Sequence, residues 1–248
     1  MQKYFKWLPH ALTLSNLLMG CVAIRFALQD NLADATIFMV IAMIFDFFDG
    51  FAARMLKVSG PLGKQLDTLA DMVTFGVAPA MILYMMASDS QAHAKYNDFL
   101  WGDPQIVQYL AYSVAIASAW RLAVFNIDEG QEYGFVGLPT PANAMIVASL
   151  PWIAHDYDFP WLPQQLENPY VLIFIMALCT WLPVSGIKLM ALKFKNFSIQ
   201  DNLDKYIIIV CGGLSVAFFG FGGMLPTVLI YILISIFWPK RKTVVSSQ

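Results

Sequence analysis

Charge is the scarce ingredient of this chain. Only 13% of its 248 residues are Lys, Arg, Asp or Glu, about half the share of an ordinary soluble domain. Hydrophobic residues make up 58%, and the mean hydropathy is +0.60. So little charge cannot cover a soluble surface, which excludes a disordered chain, a collagen-like chain and a soluble globular domain. A basic excess is also missing. The net charge of −2 offers no uniform field for nucleic acid. Cysteine is sparse: Cys21, Cys179 and Cys211 lie far apart in apolar segments. They read as small core hydrophobes, not as a disulfide frame or a zinc site.

Long apolar runs are what the chain has instead. About 20 such residues cross a bilayer as a helix, and eight candidates emerge: 11–28, 33–57, 61–88, 105–126, 139–155, 168–191, 205–221 and 224–238. Polar and turn-forming residues separate them, as at Asp30-Asn31 and Ser59-Gly60-Pro61. The expected fold is all-α, a polytopic membrane bundle of about eight helices. Residues 1–10 carry Lys3, Lys6, Tyr4, Phe5 and Trp7, which suits a short interfacial helix. No convincing cleavage site follows, so this stretch is read as retained.

Topology follows from lysine and arginine. With an even number of spans, Lys3, Lys6, Arg54, Lys57, Lys64, Lys188, Lys193, Lys195, Lys205, Lys240, Arg241 and Lys242 share one side. The opposite loops hold acids and Lys95. The basic side faces the cytoplasm, so both termini are expected there, in the cell membrane. The acidic loop with Asp128, Glu129 and Glu132 is an exception that the rule tolerates. His10, His93 and His155 show no ligand spacing and read as interfacial or loop residues.

Four carboxylates break the apolar pattern. Asp46 and Asp49 sit in the second segment, Asp67 and Asp71 in the third. An aspartate at a helix centre costs about 2.5–3.5 kcal/mol to insert. The nearby cations Arg54, Lys57 and Lys64 lie toward helix ends, so a bound divalent metal is the natural partner. Spacings of three and four put each pair on one helix face. Across the hairpin the four acids span about 9 Å along the axes. That range suits two ions about 3.5–4 Å apart, and all-oxygen ligation favours Mg2+ or Mn2+. Gly50, Ala53, Gly63, Ala70, Thr74 and Ala78 accompany the acids. Small residues there serve close helix packing or leave room for a nucleotide beside the metals. Arg54, at the mouth, suits clamping a phosphate or snorkelling to headgroups.

Written out, the stretch reads Asp46-x-x-Asp49-Gly50-x-x-Ala53-Arg54-x8-Gly63-x3-Asp67-x3-Asp71. It resembles the signature of the CDP-alcohol phosphotransferase family with every position filled. Thr13-Leu14-Ser15-Asn16-Leu17, Phe75-Gly76-Val77-Ala78-Pro79-Ala80, Arg121-Leu122-Ala123-x-Phe125-Asn126, Gly137-Leu138-Pro139-Thr140-Pro141-Ala142 and Pro183-Val184-Ser185-Gly186-Ile187-Lys188 look like its phosphatidylserine synthase branch. The resemblance implies a catalytic membrane domain over 1–195, with two additional helices and a short tail over 196–248. It implies that Asp46, Asp49 and Asp67 hold the metals, and that Asp71 is a second-metal ligand, the catalytic base, or both. It further implies that Gly50, Ala53, Arg54 and Gly63 line the CDP site, and that the enzyme is a homodimer.

The activity so implied is transfer of the phosphatidyl group from CDP-diacylglycerol to the hydroxyl of L-serine. A serine carboxylate needs a cation or amide donors, for which Arg121, Asn126 and Lys188 are the candidates. Thr13 and Asn16 suit either hydrogen bonding to cytosine or capping a helix. Two rivals stand beside this reading. One is the same chemistry with another acceptor, glycerol 3-phosphate or an inositol phosphate. The other is a divalent-cation transporter, although the acid hairpin has no counterpart in the second half as an inverted repeat would require.

Overall fold

A computed structural model describes residues 7–58, 60–88, 105–127, 135–154, 161–190 and 202–237. The charges assigned to 1–6, 89–104, 128–134, 155–160, 191–201 and 238–248 lie outside the described residues, as do His93 and His155. The interfacial reading of 1–10 therefore concerns mostly undescribed residues; Leu8, Pro9 and His10 already belong to the first long helix.

The architecture is all-α, a membrane bundle. Helix α1 (Leu8–Leu28) turns sharply into α2 (Leu32–Leu56). The turn needs Asp30 at φ 61°, and the Asn31 side chain caps α2 by accepting from the Asp34 amide at 3.3 Å. At its far end α2 stops in a left-handed Lys57, with Val58 N–H reaching Ala53 O at 3.0 Å and Lys57 N–H reaching Arg54 O at 3.3 Å. That is the Schellman closure, here with a lysine where glycine is usual. Pro61 then opens α3 (Pro61–Asp71), whose first turn has no need of its missing N–H. A π-helical segment (Met72–Val77) and α4 (Ala78–Ser88) continue α3 without interruption.

Next come α5 (Gln105–Leu110), α6 (Tyr112–Ile127), α7 (Thr140–Ala154), the short α8 (Trp161–Leu166) and α9 (Pro169–Val184). The last described elements are α10 (Leu203–Phe219), a 3-10 turn (Gly220–Gly223) and α11 (Met224–Phe237). Among the described residues, five continuous helical stretches are long and apolar enough to cross a membrane, the last being Leu203–Phe237 taken whole. Helices α7 and α9 occupy two further predicted spans but are shorter, at 15 and 16 residues.

Burial explains why the acids face inward. Along α2 the buried positions are Ala35, Thr36, Met39, Ala42 and Asp49. Positions 35, 39, 42, 46 and 49 alternate steps of four and three, one stripe of the helix. Lipid provides no hydrophobic drive for helices to associate, so small residues that let backbones approach do the packing. Ala23 and Ala27 of α1 and Ala35 and Ala42 of α2 are fully buried accordingly. Phe47 and Phe48 point outward between the acids of α2, and Phe51 does so just beyond them. The apolar exterior and the polar stripe are therefore two sides of one helix.

The sixth predicted segment, 168–191, ends early. Pro183 and Gly186 break the helix, and Val184 is the last residue of α9. The remainder turns back so that β2 (Lys188–Leu189) pairs antiparallel with β1 (Phe135–Val136), in the register Phe135↔Leu189 and Val136↔Lys188. Gly137 makes this possible. It has φ 78°, its N–H donates to Ile187 O at 2.9 Å, and an added Cβ would collide with the Pro183 carbonyl. Leu138 N–H then donates to the Leu182 carbonyl at 2.9 Å, a helix-end acceptor that also receives the Ser185 hydroxyl at 2.8 Å. Two of the sequence patches noted above thus meet at this small ladder, one beginning at Gly137 and the other ending at Lys188.

Candidate functional site

Thr13 connects the first two helices at the site. Its hydroxyl lies 2.6 Å from Asp49 Oδ2 and 3.0 Å from Pro9 O. A hydroxyl has one proton to give, and the short contact to the charged oxygen is the stronger bond. Because α1 and α2 run antiparallel, Asn16 sits level with Asp46 when Thr13 meets Asp49. Asn16 is fully buried, and neither its Oδ1 nor its Nδ2 has a hydrogen-bond partner. Both Thr13 and Asn16 lie inside α1, so the helix-capping alternative is removed for each.

Two glycines set the position of the second acid-bearing helix, α3, and its continuation. An added Cβ at Gly20 would collide with the Thr74 hydroxyl, which instead reaches Asn16 O at 3.3 Å. One at Gly76 would come within 3.2 Å of Ser118 Cβ. The π segment is therefore pressed against α1 on one side and α6 on the other. Asp71 lies directly before it. A π turn directly after a chemically active residue is a recurrent device for re-aiming side chains at functional sites.

The four acids converge. One carboxylate oxygen each from Asp46, Asp49 and Asp67 lies within 4.8 Å of the others. Asp71 is within hydrogen-bond reach of Asp46, and its buried Oδ1 has no partner. Two unit charges at that separation repel by about 3–4 kcal/mol at an effective dielectric near 20. Several such pairs together rival the whole stability of a typical fold, about 5–15 kcal/mol. Protons or cations must therefore stand between these groups. An all-oxygen cluster with an unpartnered, buried oxygen fits a hard divalent cation.

Gly50, Ala53 and Arg54 follow the acids on α2, with the Arg54 side chain exposed and lying along Gly50. A Cβ placed at Gly50 would be 3.6 Å from Arg54 Nη1. Gly63 opens α3 against His10, whose imidazole carbon would be 3.1 Å from an added Cβ. His10 is thus packed beside the acid hairpin, a neighbour that its sequence context, a lone histidine near a helix start, did not reveal.

On the other flank stands Arg121 of α6, 8% exposed. Its guanidinium carbon lies 5.4 Å from the Phe125 ring centroid and 5.9 Å from that of Phe135, and its Nε is buried without a partner. It is within electrostatic range of Asp71. The other two predicted acceptor contacts are placed differently. The Asn126 amide donates to Thr68 Oγ1 at 2.8 Å, and the Asn126 carbonyl receives Lys64 Nζ at 2.7 Å. This residue ties the end of α6 to α3. Lys188 is exposed opposite Val136, and successive strand residues face opposite ways, so it lies on the other face of the ladder from Phe135.

A family model described as CDP-alcohol phosphatidyltransferase matches residues 6–191. The chain is 35% identical over 144 residues to the CDP-diacylglycerol–serine O-phosphatidyltransferase of Bacillus subtilis, covering 58% of this chain and 75% of that protein. It is 30% identical over 205 residues to the enzyme of the same name from Helicobacter pylori, covering 82% and 78%. The archaetidylserine synthase of Methanothermobacter thermautotrophicus is 34% identical over 145 residues, covering 57% of this chain and 56% of that protein.

Proposed function

The chain belongs to the CDP-alcohol phosphatidyltransferase family, and from that premise we propose that it transfers the phosphatidyl group of CDP-diacylglycerol to the hydroxyl of L-serine, giving phosphatidylserine and CMP. The observation that carries the choice of serine is Arg121: a buried guanidinium without an ion-pair partner among the described residues, on the flank of the acid cluster. The names of the relatives support the same choice.

In this reading Asp46, Asp49, Asp67 and Asp71 hold the divalent cations, two Mg2+ or Mn2+. Such ions, when bound, neutralise charge on the diphosphate and on the departing CMP. Thr13 orients Asp49 by its hydrogen bond. Gly50, Ala53 and Gly63 leave space for the cytidine diphosphate, and Arg54 clamps a phosphate at the mouth. Asn16 offers a donor and an acceptor to the nucleotide, which is why its amide finds no partner within the protein.

Arg121 binds the serine carboxylate, and Asp71 takes the proton from the serine hydroxyl as that oxygen attacks the phosphorus bearing diacylglycerol. The bond from this phosphorus to CMP breaks, and CMP leaves with the electron pair. The acyl chains remain in the bilayer, the head opens to the cytoplasm, and the enzyme works as a homodimer.

A phosphorylated acceptor is less well served. Its dianion calls for at least two buried cations, whereas Lys64 is engaged with Asn126 and Lys188 lies on the other face of the ladder from Phe135. Purified protein with CDP-diacylglycerol, Mg2+ or Mn2+ and a panel of alcohols tests the assignment. CMP release is expected with L-serine and to be at least about tenfold slower with glycerol 3-phosphate or inositol phosphate. Equal or faster release with a phosphorylated acceptor would replace serine as the substrate.

A further inference from the structure

Helices α10 and α11 lie beyond the region that the family model matches, yet they reach the acceptor side. Tyr231 of α11 is 5% exposed, and its hydroxyl donates to the Met190 carbonyl at 2.9 Å. Met190 directly follows β2. Through the pairing of Leu189 with Phe135, β2 holds β1, and the Phe135 ring lies 5.9 Å from the Arg121 guanidinium. Tyr231 itself is within electrostatic range of Arg121. A continuous series of contacts thus runs from the last helix to the buried cation.

A two-residue ladder has too few hydrogen bonds to hold its own position. It is pinned by Gly137 N–H on Ile187 O, by Leu138 N–H on Leu182 O, and by Tyr231. The first two pins tie β1 and the residues before β2 to each other and to the end of α9. Tyr231 holds the chain just beyond β2 from the C-terminal hairpin. Without it, the Phe135 ring and the guanidinium beneath it lose one side of their frame.

We propose that the C-terminal hairpin serves acceptor recognition, with Tyr231 as a positioning residue that fixes the β1–β2 ladder and, through Phe135, the orientation of Arg121. This rests on the reading of Arg121 as the ligand of the serine carboxylate. The ring of Tyr231 packs in the core, so Tyr231→Phe removes the hydroxyl alone. Expected is a rise of about five- to tenfold in the KM for serine, while kcat and the KM for CDP-diacylglycerol stay within about twofold, the loss of one neutral hydrogen bond acting on binding.

Thr227→Val is the control. It removes a hydrogen bond within the hairpin, from Thr227 Oγ1 to Gly223 O at 2.7 Å, and is expected to leave both KM values unchanged. A merely structural hairpin would move all parameters together, or would move them alike in both variants, and either result overturns the proposal. Arg121→Ala measured in parallel separates the two ideas. If it raises the serine KM while Tyr231→Phe does not, the positioning role alone is wrong. If Arg121→Ala leaves the serine KM unchanged, the route through Arg121 is wrong, whatever Tyr231→Phe does.

Discussion

Asp71→Asn is expected to lower kcat by about 10²–10⁴-fold, the usual contribution of a positioned general base, while CDP-diacylglycerol still binds. The substitution preserves size and one oxygen, so the helix packing around Gly20, Thr74 and Gly76 is undisturbed. What it removes is the ability to accept a proton. Asp71 is suited to that role because its Oδ1 is buried and free of internal hydrogen bonds, whereas Asp49 is already engaged by Thr13. Single-turnover CMP release, measured beside equilibrium binding of CDP-diacylglycerol, distinguishes the outcomes. Turnover within threefold of the parent would remove Asp71 from proton transfer; loss of binding together with turnover would make it a metal ligand only.

Arg121→Ala is expected to raise the KM for serine by about 30- to 4000-fold with little change for CDP-diacylglycerol. Removing one member of a buried, hydrogen-bonded charge pair costs about 2–5 kcal/mol, and each 1.4 kcal/mol is about tenfold. The two phenylalanine rings leave the guanidinium desolvated, and its Nε has no partner, so little else competes for its charge. Arg121→Lys should recover only part of the affinity. An ammonium keeps the charge but lacks the planar fork that matches a carboxylate and stacks on rings. A matching rise in both KM values, or a fall in kcat alone, would contradict the assignment.

The acid hairpin was legible in the sequence because two independent signals coincide there: carboxylates are costly in apolar segments, and spacings of three and four force each pair onto one face. The contacts of Arg121 were not. Phe135 lies on a strand of two residues, too short for any alternating pattern, and it meets the arginine only because Gly137 folds the chain back on the end of α9. Asn126 and Lys188 had the right chemistry for an anion, but one is spent tying α6 to α3 and the other lies on the other face of the ladder from Phe135. The π segment left no trace, since its residues are as apolar as any helix. Tyr231 stayed hidden for a different reason: in a last helix of nearly unbroken hydrophobicity, one aromatic hydroxyl says nothing of the carbonyl 41 residues away that it meets.

The proposed chemistry requires divalent cations among Asp46, Asp49, Asp67 and Asp71. Manganese binding to the purified protein in detergent, counted by electron paramagnetic resonance, tests it without recourse to turnover. About two Mn2+ per chain are expected for the parent, displaced by Mg2+, with binding lost in the Asp46→Asn/Asp49→Asn variant. The same number of ions bound at the same affinity in parent and variant would contradict that requirement.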